Sequence, residues 1–232
     1  MTSVQVTVFK RATMNRKFDW IFFDLDGTLA DSIAEMFHVY FDFLGEFGTK
    51  GTRKEFEELN GPSLLEIVAV LKSRHNLTQD KGSLAKFYKN KISVAYKNHV
   101  KPMDGSGAVL QELKKMDYKV MLVTSSDQDI ALEFIRSQKW EQYFQNYVFG
   151  NEINKAKPAS EIYDLALKRA NTSSYSVAVI EDSCNGIKSA KATGAFVIGF
   201  VNNQTKEELL NAGANITISH LKEIIPIIEV KA

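Results

Sequence analysis

Trp20-Ile21-Phe22-Phe23-Asp24-Leu25-Asp26-Gly27-Thr28 joins an unbroken apolar run to a polar turn. Four consecutive large hydrophobic residues without polar alternation read as a strand buried on both faces, and the change to Asp-Leu-Asp-Gly-Thr ends that strand in a loop. Similar runs recur at Val120-Met121-Leu122-Val123, Tyr147-Val148-Phe149, Val177-Ala178-Val179-Ile180 and Phe196-Val197-Ile198-Gly199-Phe200. Between them lie stretches with helical spacing, from Ala108 to Met116, Ile130 to Ser137, Glu161 to Arg169 and Asn185 to Ala192. Strand and helix alternate. That pattern predicts an α/β fold, a doubly wound and mostly parallel sheet with helices on both faces, because parallel strands need crossover connections. Ligands of such sheets bind beyond the C-terminal ends of the strands.

Between the first two strands the pattern changes to helices alone. Phe37, Tyr40, Phe41 and Leu44 form one amphipathic stripe, and Leu64, Leu65, Ile67, Val68 and Leu71 form another. This predicts an inserted α-helical cap domain over residues 33–100, dividing a catalytic core into 14–32 and 101–232. The Pro and Gly of Lys101-Pro102-Met103-Asp104-Gly105 suit a chain turning back into the core. Residues 1–13, with an alternation Val4, Val6, Val8, are an N-terminal extension with no assigned role. The stretch from Leu221 to Val230 is apolar enough to dock as a helix despite Pro226.

Composition narrows the class of function. The 232 residues are 44% hydrophobic and 25% charged, ordinary globular usage. Lys and Arg number 29 against 28 for Asp and Glu, so there is no basic excess of the kind that marks a nucleic-acid surface. No run approaches the roughly 20 apolar residues of a membrane span. The single cysteine, Cys184, cannot form an internal disulfide, which fits a reducing compartment. The expectation is a cytoplasmic protein, a monomer or small homo-oligomer, with neither nucleic acid nor membrane as partner. His38, His75, His99 and His220 lack zinc-ligand spacing, and Cys184 reads as a small packing residue.

Four polar clusters each follow a predicted strand: Asp24-Leu25-Asp26-Gly27-Thr28, Thr124-Ser125-Ser126, Lys157-Pro158 and Glu181-Asp182. Parallel strands bring all four ends together. The segments DLDGTLADS (24–32), LVTSS (122–126), KAKPAS (155–160) and IEDSCNG (180–186) resemble the four ordered motifs of the haloacid dehalogenase superfamily, with a helical cap inserted after the first. The resemblance covers the chain from Phe18 to about Phe200. Taken singly, each cluster has a plainer reading: a solvated acid pair, a helix cap, a loop lysine, helix-start acids. Their order and placement together outweigh those readings.

The resemblance implies a phosphohydrolase in which Asp24 is the nucleophile and becomes phosphorylated, while Asp26 protonates the leaving oxygen and then activates water. It implies Mg²⁺ as cofactor, held by the Asp24 carboxylate, the backbone carbonyl of Asp26, and Asp182, with Glu181 as a supporting group or a further ligand. Thr124 and the backbone amides from Ser125 onward, expected to begin a helix, would hold phosphoryl oxygens, and Lys157 would add fixed positive charge. Gly27 permits a tight loop close to the ligand.

An acid at the position of Asp26 is similar to the phosphatases and phosphomutases of the superfamily. Its dehalogenases and phosphonate-cleaving members lack that acid, and its ion-pumping ATPases carry Thr there. Beta-phosphoglucomutases carry a cap His and a cap Arg where Met36 and Leu64 stand here, so hydrolysis is expected before a mutase reaction. A catalytically silent binding protein on this fold is the other alternative. The loop Asn60-Gly61-Pro62-Ser63-Leu64 looks like a cap loop of phosphoglycolate-phosphatase-like enzymes, and reads equally as an ordinary inter-helix turn. The expected partner is a small phosphorylated metabolite, a sugar, polyol or small-acid phosphate. Lys, Arg and Asn side chains of that loop and of Lys86 to Lys97 are expected to reach its leaving group.

Overall fold

The computed structural model describes residues 18–59 and 62–229; the extension over 1–13, Met14, Asn60 and Gly61 lie outside the described residues. In chain order the strands are β1 (Trp20–Phe23), β2 (Ala30–Asp31), β3 (Lys101–Pro102), β4 (Lys119–Thr124), β5 (Asn146–Phe149), β6 (Val177–Glu181), β7 (Phe196–Phe200) and β8 (Ile216–Ile218). Six of them form one sheet in the order β5-β4-β1-β6-β7-β8, and every pairing in it is parallel. β1 is central, with Phe22 in register with Met121 on one side and Val179 on the other.

A strand flanked on both edges and covered on both faces must be apolar at every position, and β1 is buried throughout. Successive side chains point to opposite faces. Ile21 and Phe23 pack with Leu122, Ile180 and Ile198 in one cluster, while Trp20 and Phe22 pack with Val179 and Val197 in the other. Full burial of side chains of this size stabilises by about 1.5–3 kcal/mol each. The first cluster is covered by α5 (Ser106–Lys115) and α6 (Gln128–Ser137), through Leu110, Leu113, Phe134 and Ile135. The second is covered by α7 (Glu161–Ala170) and α8 (Cys184–Ala192), through Ile162, Tyr163, Ile187 and Ala190. The doubly wound α/β fold expected from the sequence is therefore the fold observed.

Between β2 and β3 run α1 (Ile33–Gly45), α2 (Arg53–Glu58), α3 (Leu64–Arg74) and α4 (Lys81–Asn98). They enclose a third cluster of their own, with Tyr40, Phe43, Leu44, Val68, Leu71 and Leu84 at its centre. β2 and β3 pair antiparallel, Ala30 with Pro102 and Asp31 with Lys101, so the two chain crossings into this helical unit are tied together. Ser63 starts α3 with a reciprocal capping box to Glu66.

Three features differ from expectation. β8 reads poorly in sequence because it has three residues with Thr217 at the centre. The helix after β4 begins at Gln128, with Ser125, Ser126 and Asp127 forming a loop before it, not at Ser125. The C-terminal stretch is a 3-10 turn over Leu221–Glu223 followed by α10 (Ile224–Ile228). Pro226 lies in the first turn of α10, where backbone amides have no partner within the helix. α9 (Lys206–Ala212) packs between α8 and the β7–β8 edge. No helix among the described residues is long and apolar enough to cross a membrane.

Candidate active site

Because β1, β4 and β6 are parallel and in register, the residues that follow them emerge at one edge of the sheet. Asp24, Asp26, Thr124, Ser125, Lys157 and Asp182 all line a single cavity there, of about 150 Å³. Glu181 does not reach the cavity. Its side chain lies beneath, fully buried.

Lys157 is the hub of the charged floor. Its Nζ donates to Asp24 Oδ1 at 2.7 Å and to Glu181 Oε1 at 2.5 Å. Glu181 also accepts from Tyr163 Oη at 3.0 Å and from the Ser183 hydroxyl at 3.1 Å, so its carboxylate is occupied by protein donors. Gly186 makes room for it, since a Cβ there would lie 1.9 Å from Glu181 Oε1. Burial holds the Lys157 ammonium back, but the Asp24 and Glu181 carboxylates outweigh that and push its pKa well above the usual lysine range.

Asp182 is held differently. Oδ1 accepts from the Thr28 hydroxyl at 3.2 Å, while Oδ2 is a buried side-chain oxygen with no hydrogen-bond partner among the described residues. Gly27 has φ +77°, and a Cβ on it would stand 2.1 Å from that same Oδ2, so the loop closes over Asp182 only with glycine. Asn202 fixes the loop by donating to the Gly27 carbonyl at 2.9 Å. Asp24, Glu181 and Asp182 offer carboxylate oxygens within 4.8 Å of one another. Burial, and then the neighbouring carboxylates, push the carboxyls of Asp24 and Asp182 well above the usual range, with Lys157 opposing the rise. Three carboxylates against one ammonium leave the floor short of positive charge.

Asp26 faces the helical unit. Its Oδ1 accepts from Ser32 Oγ at 2.7 Å and from the Tyr96 hydroxyl, and its Oδ2 accepts from Ser126 Oγ at 2.6 Å. Thr124 is fully buried and its Oγ1 accepts from the Ser126 amide at 3.0 Å. Sequence reading missed Tyr96, Tyr163 and Asn202, and placed Ser126 in a polar cluster without giving its side chain a role. Ser126 was signalled by the doubled serine after β4; Tyr96 and Tyr163 sit at helix positions that read as ordinary core.

The side of the cavity facing the floor comes from the helical unit. Ile33 and Met36 of α1, Phe56 of α2, Ile67 of α3 and Ile92 of α4 line it, with Leu59, Pro62 and Leu64 at the α2–α3 connection. Tyr88 is the one lining residue on this side, among those described, with a polar atom in its side chain apart from the Met36 sulfur. The expected cations of Lys86 to Lys97 are not among the lining residues: Lys89 pairs with Asp127 at 2.7 Å and Asp129 at 2.9 Å, and Lys91 with Glu46 at 3.0 Å. Cys184 approaches Gln204, and burial pushes its thiol pKa up, in keeping with a packing role.

The chain is similar to known proteins over most of its length. A phosphorylated carbohydrates phosphatase of Thermotoga maritima is 30% identical over 196 residues, 84% of this chain and 91% of that protein. A 6-phosphogluconate phosphatase of Escherichia coli is 23% identical over 210 residues, 90% of this chain and 93% of that one. The solved structure of a haloacid dehalogenase-like protein of unknown function from Agrobacterium tumefaciens is 25% identical, with a TM-score of 0.72, covering 91% of this chain and 97% of that chain. The family model described as haloacid dehalogenase-like hydrolase matches residues 21–200, and the chain belongs to that family.

Proposed function

We propose that the protein is a Mg²⁺-dependent phosphatase that hydrolyses a small phosphomonoester through a phosphorylated Asp24, with residues 33–100 acting as a cap over the core. The observation that carries this reading is the buried Lys157–Asp24 pair at 2.7 Å, opening onto the same cavity as Asp26, Thr124 and Asp182. In the first step the Asp24 carboxylate attacks phosphorus, the bond from phosphorus to the leaving oxygen breaks, and Asp26 gives that oxygen its proton. In the second, Asp26 takes a proton from water as the water attacks the aspartyl phosphate, and the release of phosphate restores both carboxyl groups. The hydroxyls of Ser32, Tyr96 and Ser126 suit both stages, because a hydroxyl can donate to the ionised acid or accept from the protonated one. Thr124 and the Ser125 amide face the phosphoryl oxygens, and Lys157 holds the Asp24 carboxylate in place while offsetting charge on the transferring group.

The donor set fits a hard divalent cation: carboxylate oxygens, an excess of negative charge, and the unpartnered Asp182 Oδ2. The Asp24 carboxylate, Asp182 and the Asp26 backbone carbonyl would hold it, with Glu181 supporting through Lys157. A bound Mg²⁺ supplies charge that orients the phosphoryl group and reduces its repulsion from Asp24. The apolar cap side supports hydrolysis over a mutase reaction, since a second phosphoryl group there would meet Met36 and Leu64, not a cation.

Phosphate release from a panel of phosphomonoesters, with Mg²⁺ and with chelator, tests the reading. Release is expected to depend on metal and to fall by at least about a thousandfold in Asp24→Asn. Turnover retained by that variant would refute Asp24 as nucleophile; no release from any ester by wild type would refute the phosphatase.

A further inference from the structure

A phosphoryl group bound as proposed above would occupy the end of the cavity lined by Asp24, Thr124, Lys157 and Asp182, which leaves the rest of the substrate against the other side. That side is hydrocarbon. Each of α1 to α4 contributes to it, and apart from the Tyr88 hydroxyl its described lining side chains carry only carbon or the thioether of Met36. Three of the helical unit's cationic side chains are committed elsewhere. Arg53 lies over Phe37 at 4.8 Å and pairs with Glu57, Arg74 pairs with Glu55 and Glu58, and His75 bridges Glu55 and Thr49.

We infer that the substrate's leaving group is a compact apolar alcohol, alkyl, isoprenoid or aryl, in preference to a sugar or polyol; this rests on the phosphatase reading above. A sugar docked here would strip several hydroxyls of water and, among the described residues of the helical unit that line the cavity, find no polar side chain but Tyr88. Unpaired buried polar groups are what make such a site reject a ligand. An alkyl chain or ring loses nothing comparable and removes apolar surface of both partners from water. The size agrees: the whole cavity is about 150 Å³, and a phosphoryl group at its charged end leaves room for only a compact leaving group. Met36, Leu64 and Ile67 are the specificity-determining positions that can be changed most safely, since each is only half-buried.

The test compares primary alkyl esters, so that leaving-group chemistry is held nearly constant. For 3-methylbutyl phosphate, kcat/KM is expected to exceed that for glycerol 3-phosphate and glucose 6-phosphate by at least about tenfold, mostly through KM. In Met36→Gln with Leu64→Gln that ratio should shrink. Equal or reversed preference in wild type overturns the inference while leaving the phosphatase intact. A binding arm keeps the two readings separable: calorimetry with 3-methylbutylphosphonate and 2,3-dihydroxypropylphosphonate, in the presence of Mg²⁺, needs no turnover. Tighter binding of the alkyl compound supports the apolar site even if no ester is hydrolysed; equal or weaker binding overturns it.

Discussion

The two sides of the cavity differ in both material and logic. On the floor, the ends of β1 and β6 carry the buried carboxylates Asp24, Glu181 and Asp182, the end of β4 carries Thr124, and Lys157 is shared between Asp24 and Glu181. On the roof, the described side chains from α1 to α4 are almost all apolar, Tyr88 excepted, with few directional demands. A charged floor tolerates almost no substitution, because each group is the partner of another. An apolar roof can exchange one hydrophobe for another at small cost, so the same chemistry can be offered to different leaving groups.

The sharpest way to break this contrast is to remove the hub of the floor. Lys157→Met keeps the volume and deletes the charge, leaving Asp24 and Glu181 buried without compensation. Breaking such a pair costs about 3–5 kcal/mol, to be measured by denaturant unfolding, with activity lost as well. The pH dependence has a definite sign. The Asp24 carboxyl already lies above its unfolded value, so its penalty is absent below the ordinary carboxylate range and grows as pH rises through the folded value. Without Lys157 that penalty is larger, and the variant's deficit should shrink as the pH is lowered. A variant as stable as wild type at neutral pH would mean that the floor does not depend on this lysine.

The same contrast explains what was legible in the sequence. Asp24, Asp26, Thr124 and Asp182 could be located because a strand end is a marked place, an apolar run stopping at a polar residue, and parallel strands put their ends together; Lys157, eight residues past β5, was located through the resemblance of its KAKPAS segment. The roof offered no such mark. In α3, Leu64, Ile67, Val68 and Leu71 share one helical stripe, yet Val68 and Leu71 are fully buried in the unit's own core while Leu64 and Ile67 face the cavity. Periodicity identifies an apolar face without saying whether protein or ligand covers it. Tyr96 was hidden for a related reason: at the end of α4 it reads as one more core aromatic, and only the tertiary packing of α4, against Phe134 and beside the β2–β3 pair, brings it to Asp26. Elements of two or three residues, such as β2, β3 and β8, are too short to carry a period at all.

Tyr96 is also the point where roof and floor touch, which makes it the next place to press. Tyr96→Phe removes one of three hydroxyl donors to Asp26 and leaves the ring packed against Phe134. A hydrogen bond to a charged group is worth about 1.5–3 kcal/mol, so kcat for an alkyl phosphate should fall about ten- to a hundredfold. With 4-nitrophenyl phosphate, whose leaving group needs little protonation, the loss should be much smaller. Equal losses on both substrates would place Tyr96 in the packing of the site, with no part in proton transfer.

The smallest effect is expected at the rim, where Lys89 of α4 reaches Asp127 and Asp129 at the start of α6 and so ties the helical unit to the sheet. Burial works against the Lys89 ammonium, but its bonds to both aspartates prevail and raise its pKa. All three side chains are partly or largely in solvent, so the bridge should contribute under about 1 kcal/mol to global stability. Its influence should appear in closure instead. Lys89→Met is expected to raise KM about two- to fivefold with little change in kcat, because the open arrangement holds substrate less well. Exposed ion pairs weaken with salt, so wild-type KM should climb toward the variant's value as ionic strength rises, while the variant's stays flat. If both respond to salt alike, the dependence belongs to the binding of the phosphate dianion at the floor, and Lys89 has no part in holding the roof down.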